Sequence, residues 1–265
     1  QGAINSLRDP INISTYNSAP LANPGAVNLQ ARGDITVGGI SVSSEDNSKS
    51  DGANINIRSV NGNIELGDTN NSSDNGKGGN ITISTSGNIR SGNILNYGRL
   101  QGGSVNFTST NGSIITGKLN ATSSQDSGNN TIFLPENGGS ITLRADRNIT
   151  TGNLNVAANQ NSGPIALTSG GTIDIGTIDT TGAKAAGNIT IKAESGIKTP
   201  TTGTAIAGTS SNGNGSNVTL STTSGDINIG NVLVSGIQGG NLNFTNNKGN
   251  ITTGQLLTSY DGSSP

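Results

Sequence analysis

The sequence predicts an all-β chain wound as a parallel β-helix, a solenoid of about nine coils with three short strands in each. Three observations carry that prediction. A run of apolar, polar and apolar residues returns along the chain with a base step of 24. Each run gives way to Gly, Asn, Ser or Asp, residues that turn a chain at small cost. The composition is too poor in large apolar side chains for a layered core: 29% hydrophobic and 2% aromatic, with 41 glycines among 265 residues. Such a composition would also suit a disordered chain, but disorder imposes no register, and this sequence keeps one.

Strand 1 of each coil begins with a small or Asn residue and alternates. It reads Ala26-Val27-Asn28-Leu29, then Asn54-Ile55-Asn56-Ile57, Asn80-Ile81-Thr82-Ile83 and Ser104-Val105-Asn106-Phe107. Five further copies start at Ile141, Ile165, Ile189, Val218 and Leu242. Their second apolar members are Leu143, Leu167, Ile191, Leu220 and Phe244. The first apolar positions are separated by 28, 26, 24, 36, 24, 24, 29 and 24 residues. Strand 2 follows a polar turn, as in Gly33-Asp34-Ile35, Gly62-Asn63-Ile64, Gly87-Asn88-Ile89 and Gly112-Ser113-Ile114. Strand 3 is a short apolar run after most of these turns: Ile40-Ser41-Val42, Ile94-Leu95, Leu119, Leu154-Asn155-Val156, Ile178, Val232-Leu233-Val234 and Leu256-Leu257.

One such unit cannot close its own core, because a single thin layer of apolar side chains stays open above and below. Stacking the units pairs strand 1 with strand 1 in parallel at about 4.8 Å and turns the inward residues into columns. Nine rises make a particle roughly 43 Å long. Val and Ile dominate the columns, as buried parallel strands prefer. Phe107 and Phe244 are the wide exceptions and require a broader coil or a small residue opposite. Asn54, Asn80, Asn188, Asn217 and Asn241 precede strand 1, and Asn63, Asn88, Asn148 and Asn250 precede strand 2. Asn suits tight corners, and amides stacked at one lattice position can bond coil to coil. An exposed Asn row that binds glycans is the functional alternative.

Residues 26–258 are read as the β-helix repeats, residues 1–25 as a lead-in segment or partial preceding coil, and residues 259–265 as a tail or the start of another coil. Neither end spells a polar or helical cap, so the reading expects continuation in a longer chain or end-to-end self-association. The 36-residue step places 12 extra residues between Leu119 and Ile141, with the apolar cluster Ile132, Phe133 and Leu134 among them. That cluster either covers the coil beneath it or forms a partner contact.

Composition removes most site chemistry. There is no His and no Cys, hence no His-dependent nucleophile pair, no disulfide and no metal site of the usual nitrogen and sulfur ligands. No cofactor is expected. A formal charge of −2 supplies no field for nucleic acid, and no apolar run is long enough to span a membrane as a helix. A β-helix enzyme acting on polysaccharide would need several carboxylates converging on one face. The outward middle position of strand 2 reads Thr36, Glu65, Arg90, Ile115, Thr150, Asp174, Lys198, Asn228 and Thr252, which pairs Glu65 with Arg90 and Asp174 with Lys198. Asp174 and Asp179 come nearest to a catalytic pair, but the corner between their strands turns them to different faces. Glu45, Asp46 and Asp51, or Asp68 and Asp74, could hold at most one weak calcium ion; no EF-hand or toxin-type repeat is spelled. The outward rank of strand 1 mixes Asn, Thr and Ala, which spoils the regular Thr array of an ice-binding face. The residues thus favour a non-catalytic structural or adhesive protein, with a carbohydrate-binding or carbohydrate-active β-helix as the alternative.

The recurring Gly79 to Ile83, Gly187 to Ile191 and Gly249 to Gly254 segments resemble the repeats of filamentous haemagglutinin-type β-helical proteins, exported by two-partner secretion in Gram-negative bacteria. Similar Asn/Thr-rich versions occur in cyanobacteria. The resemblance covers about residues 26–258. It implies a right-handed coil, an extracellular or cell-surface location, and adhesive or fibrous work. The partners expected are other copies or a longer chain at the ends, and surface glycans.

Overall fold

The computed structural model describes residues 24–42, 50–123 and 136–259, together with the backbone of 12–14. Three parallel sheets of nine, nine and ten strands form the solenoid, and no helix occurs among the described residues. The first sheet runs from Val27–Ala31 to Leu242–Asn246, and the second from Ile35–Val37 to Ile251–Thr253. The third runs from Asn12–Ser14 to Leu256–Leu257. Strands of the first sheet pair one coil apart, and the eight steps across its nine strands span about 38 Å.

The lattice follows the columns predicted from alternation. Asn28 pairs with Asn56, Asn56 with Thr82, and Thr82 with Asn106, all outward. Ile55, Ile81, Val105, Ile141, Ile165, Ile189 and Val218 are buried in one column, and Ile57, Ile83, Phe107, Leu143, Leu167, Ile191 and Leu220 in the next. Burying one such side chain is worth roughly 1.5–3 kcal/mol, and period-2 alternation leaves the polar partners outside. Phe107 is fully buried. Its coil carries Ala121 where the coils on either side carry Asn96 and Val156.

Strand 3 lies a fixed five residues after strand 2 in most coils, as from Ile35 to Ile40, Ile89 to Ile94 and Ile173 to Ile178. Two coils depart from the expected apolar run there. Thr69–Asn70 fills the place in the second coil, with Thr69 buried beside Ile40 and Ile94. In the seventh coil four extra residues, Pro200 to Gly203, postpone the strand to Thr204–Ala207, where Ile206 pairs with Ile178. Gly203 takes a φ of 71° to make that turn, a conformation that favours glycine.

Asn12–Ser14 pairs with Gly39–Ser41, so backbone of the lead-in segment occupies the strand 3 place ahead of the first full coil. On either side of the long insertion, Ser123 bridges to Gly98 and Asn137 to Gln101. Ile132, Phe133 and Leu134 lie outside the described residues.

Candidate functional site

The outward faces and corners are the places where this solenoid can meet another molecule, and their chemistry follows from the register. On the second sheet the charged rank is assembled as read: Glu65 beside Arg90, and Asp174 beside Lys198. Lys198 Nζ stands 3.9 Å from Asp174 Oδ2, with both side chains more than half exposed. Such a pair contributes only a few tenths of a kcal/mol. Glu65 and Arg90 are register partners without an ion pair.

Asp174 and Asp179 sit on different sheets, and each is occupied. Asp179 Oδ1 accepts from the Thr181 amide at 2.9 Å. Asn70, Asn120 and Asn155 hold the same strand 3 position and accept from the amides two residues on. The acidic groups considered for calcium are likewise engaged: Asp68 Oδ1 accepts from the Asn93 amide at 2.7 Å, Asp51 Oδ1 from the Lys77 amide at 2.8 Å, and Asp74 from the Tyr97 hydroxyl. Glu45 and Asp46 lie outside the described residues. No cluster of three acidic metal-ligating side chains forms among the described residues.

The corners are built from side-chain ladders. Before strand 1, Asn80 Nδ2 donates to Asn54 Oδ1 at 3.2 Å, Asn217 to Asn188 at 3.2 Å, and Asn241 to Asn217 at 3.0 Å. Before strand 2, Asp34, Asn63, Asn88, Ser113, Asn148 and Thr172 form six successive rungs. Gly196, lacking a side chain, ends that run, and Asp226 resumes it by accepting from the Asn250 amide at 2.7 Å. A third ladder precedes strand 3, where Asp68 accepts from Asn93, Asn93 from Lys118, Asn153 from Thr177, and Asn231 from Gln255. Sequence reasoning missed this one, although the steps Gly92-Asn93, Gly152-Asn153 and Gly230-Asn231 announce it.

A buried hydroxyl closes the corner after strand 1. Ser59 Oγ donates to Gly33 O at 2.7 Å in the coil before and accepts from Gly62 N at 2.9 Å in its own turn. Ser109 repeats the arrangement with Gly87 O at 2.6 Å and Gly112 N at 3.0 Å. The signal was present as Ser or Thr two or three residues ahead of the turn glycine.

Beyond strand 3 the interior becomes mixed, with buried polar side chains among the aliphatic ones. The inward column there reads Val42, Asn71, Asn96, Ala121, Val156, Thr180, Gly208 and Val234. Asn71 and Asn96 are fully buried; Asn71 Nδ2 donates to Ala53 O at 2.8 Å and Asn96 Nδ2 to Ser104 O at 3.2 Å, while both Oδ1 atoms lack a protein donor. Outside the same corner, the pairs Gly78-Gly79, Gly102-Gly103 and Gly138-Gly139 line a polar trough with Lys77 and Gln101. On the third sheet a shallow recess of about 730 Å³ runs past Gly39, Asp68, Leu95 and Lys118. It is open and carries no converging catalytic groups.

Strand 1's outward ranks carry Arg58, Arg144 and Lys192, all exposed, and no carboxylate. Among the described residues no helix is long and apolar enough to cross a membrane. No protein-family model, curated protein or solved structure matches the chain.

Proposed function

We propose that this chain is a non-catalytic rod, a stalk or fibre segment of an extracellular or cell-surface adhesive protein similar to the filamentous haemagglutinin type. The β-solenoid is compatible with structural or adhesive work. The observation that carries the reading is the inter-coil lattice: three parallel sheets, with a register shift between Thr204 and Ile206, stitched at their corners by amide and hydroxyl bonds. Such a lattice resists bending and splaying. Among the described residues, the outward charges of the second sheet stand beside opposite ones, which supports a passive surface over a hydrolytic cleft.

End-to-end contact between copies belongs to the same proposal. Ile251, Leu256 and Leu257 are each 45% exposed, although their counterparts in the preceding coil, Ile227, Val232 and Leu233, are buried or half-buried. Their apolar surface and the parallel strand edges beside them are what another coil would cover.

Electron microscopy with sedimentation of the purified chain tests the reading. Straight rods whose lengths grow with concentration by end-to-end addition, together with no release of reducing ends from acidic or neutral polysaccharides, are expected. Polysaccharide turnover abolished by Asp174→Asn would overturn it in favour of a carbohydrate-active β-helix.

A further inference from the structure

Six Asn-Gly steps occur in the sequence, at Asn61, Asn75, Asn111, Asn137, Asn212 and Asn214, and all lie among the described residues. Such a step can cyclise when the glycine nitrogen reaches the Asn side-chain carbonyl carbon. For that the nitrogen must give up its proton and leave any hydrogen bond it makes. The fold treats the six unequally. Gly62 N is held by Ser59 Oγ at 2.9 Å, Gly76 N by Ser73 Oγ at 2.8 Å and Gly112 N by Ser109 Oγ at 3.0 Å. All three hydroxyls belong to buried serines. Gly138 N donates to Asn161 O at 2.8 Å and Gly215 N to Gln238 O at 2.9 Å.

Gly213 differs. Among the described residues its N–H has no acceptor, and Asn212 is exposed with a side chain that bonds to nothing. We propose that Asn212-Gly213 is a spontaneous modification site, the step at which this chain deamidates while the other five stay intact. The Gly213 nitrogen passes its proton to solvent base and bonds to Asn212 Cγ. The bond from Cγ to Nδ2 then breaks, and ammonia leaves with a proton from solvent. Water opens the resulting cyclic imide at either carbonyl, giving aspartate or isoaspartate. The balance is one water in and one ammonia out, without oxidation or reduction.

The position gives the product a consequence. Asn212 N donates to Ala183 O at 2.7 Å on one side, and Gly213 O accepts from Ile237 N at 2.7 Å on the other. These bonds tie the seventh coil to the sixth and the eighth. An isoaspartyl link inserts a methylene into the backbone between them and adds a carboxylate to an exposed corner, which loosens the local stitch.

The full-length folded chain, aged in mildly alkaline buffer and mapped by peptide mass spectrometry, provides the test. Conversion at Asn212 should run roughly tenfold or more ahead of every other Asn-Gly step, the factor set by one retained hydrogen bond of about 1.4 kcal/mol. The ranking should collapse when the chain is aged in denaturant. Ser59→Ala, which frees Gly62 N, should raise conversion at Asn61 alone; a general rise would instead report unfolding, and the wild-type ranking then decides. Equal rates at all six sites in the folded protein, or a ranking that survives denaturation, would overturn the proposal.

Discussion

The corner between strands 1 and 2 and the corner between strands 3 and 1 both bend the chain inside every coil, yet they are built from different materials. The first is made by side chains: a buried hydroxyl such as Ser59 hooks the coil beneath, and an exposed ladder from Asp34 to Thr172 runs beside it. Its turn position accepts Arg147 and Ser195 where other coils have glycine. The second is made by backbone packing. Its position reads Ala53, Gly79, Gly103, Gly139, Gly163, Gly187, Ser216 and Gly240, with nothing larger than Ala or Ser. A Cβ on Gly103 would run into the Gly79 carbonyl and stand 2.6 Å from Asn96 Oδ1. The first corner thus admits Arg and Ser in two coils, although its glycines also lie close to the backbone of the coil before, whereas the second admits nothing larger than Ser.

The largest effect should come from breaking the columns on which both corners rest. Ile83→Asp or Ile189→Asp buries an unpaired charge at a cost of several kcal/mol. Both should abolish protection of the neighbouring coils in hydrogen exchange. Next, Gly103→Val should cost about 1–3 kcal/mol through overpacking, read as a lowered denaturant midpoint. Arg147→Ala, at a first corner that already carries a side chain, should cost clearly less in the same assay, and equal losses would erase the contrast. Asn63→Ala removes the acceptor for the Asn88 amide and the donor to Asp34, and should cost about 0.5–1.5 kcal/mol in thermal or chemical melts. Smallest is Lys198→Ala: the pair with Asp174 is exposed, so the change should stay below about 0.5 kcal/mol and vanish in high salt.

These differences explain what could be read from the sequence. Columns were legible because alternation repeated at a fixed step leaves a single way to bury Ile81, Val105 and Ile141 together, and the outward ranks followed from the same register. Thr69 was not legible as a strand, since a hydroxyl residue gives no apolar signal; the five-residue spacing after Ile64 was the available clue. Ile206 escaped because Pro200 to Gly203 shift it out of that spacing. Asn71 and Asn96 are chemically identical to the corner amides, and only the strand 3 register turns them inward. The charged pair of Asp174 with Lys198 was legible because its two members recur at one lattice position. Its weakness follows from exposure, which the spacing alone does not weigh.

The coil-on-coil register underlies every feature above, and the absence of cysteine from the chain allows a direct measurement of it. Asn56 and Thr82 are outward register partners, whereas Asn28 and Thr82 are two coils apart. Neighbouring parallel strands lie about 4.8 Å apart, inside the roughly 4.4–6.8 Å Cα separation that a disulfide bridges; two coils, about 9.6 Å, lie outside it. The double variant Asn56→Cys with Thr82→Cys should oxidise to an intrachain disulfide with the fold retained, and Asn28→Cys with Thr82→Cys should stay reduced. Equal cross-linking of both pairs, or cross-linking of the distant pair alone, would contradict the register and the solenoid built on it.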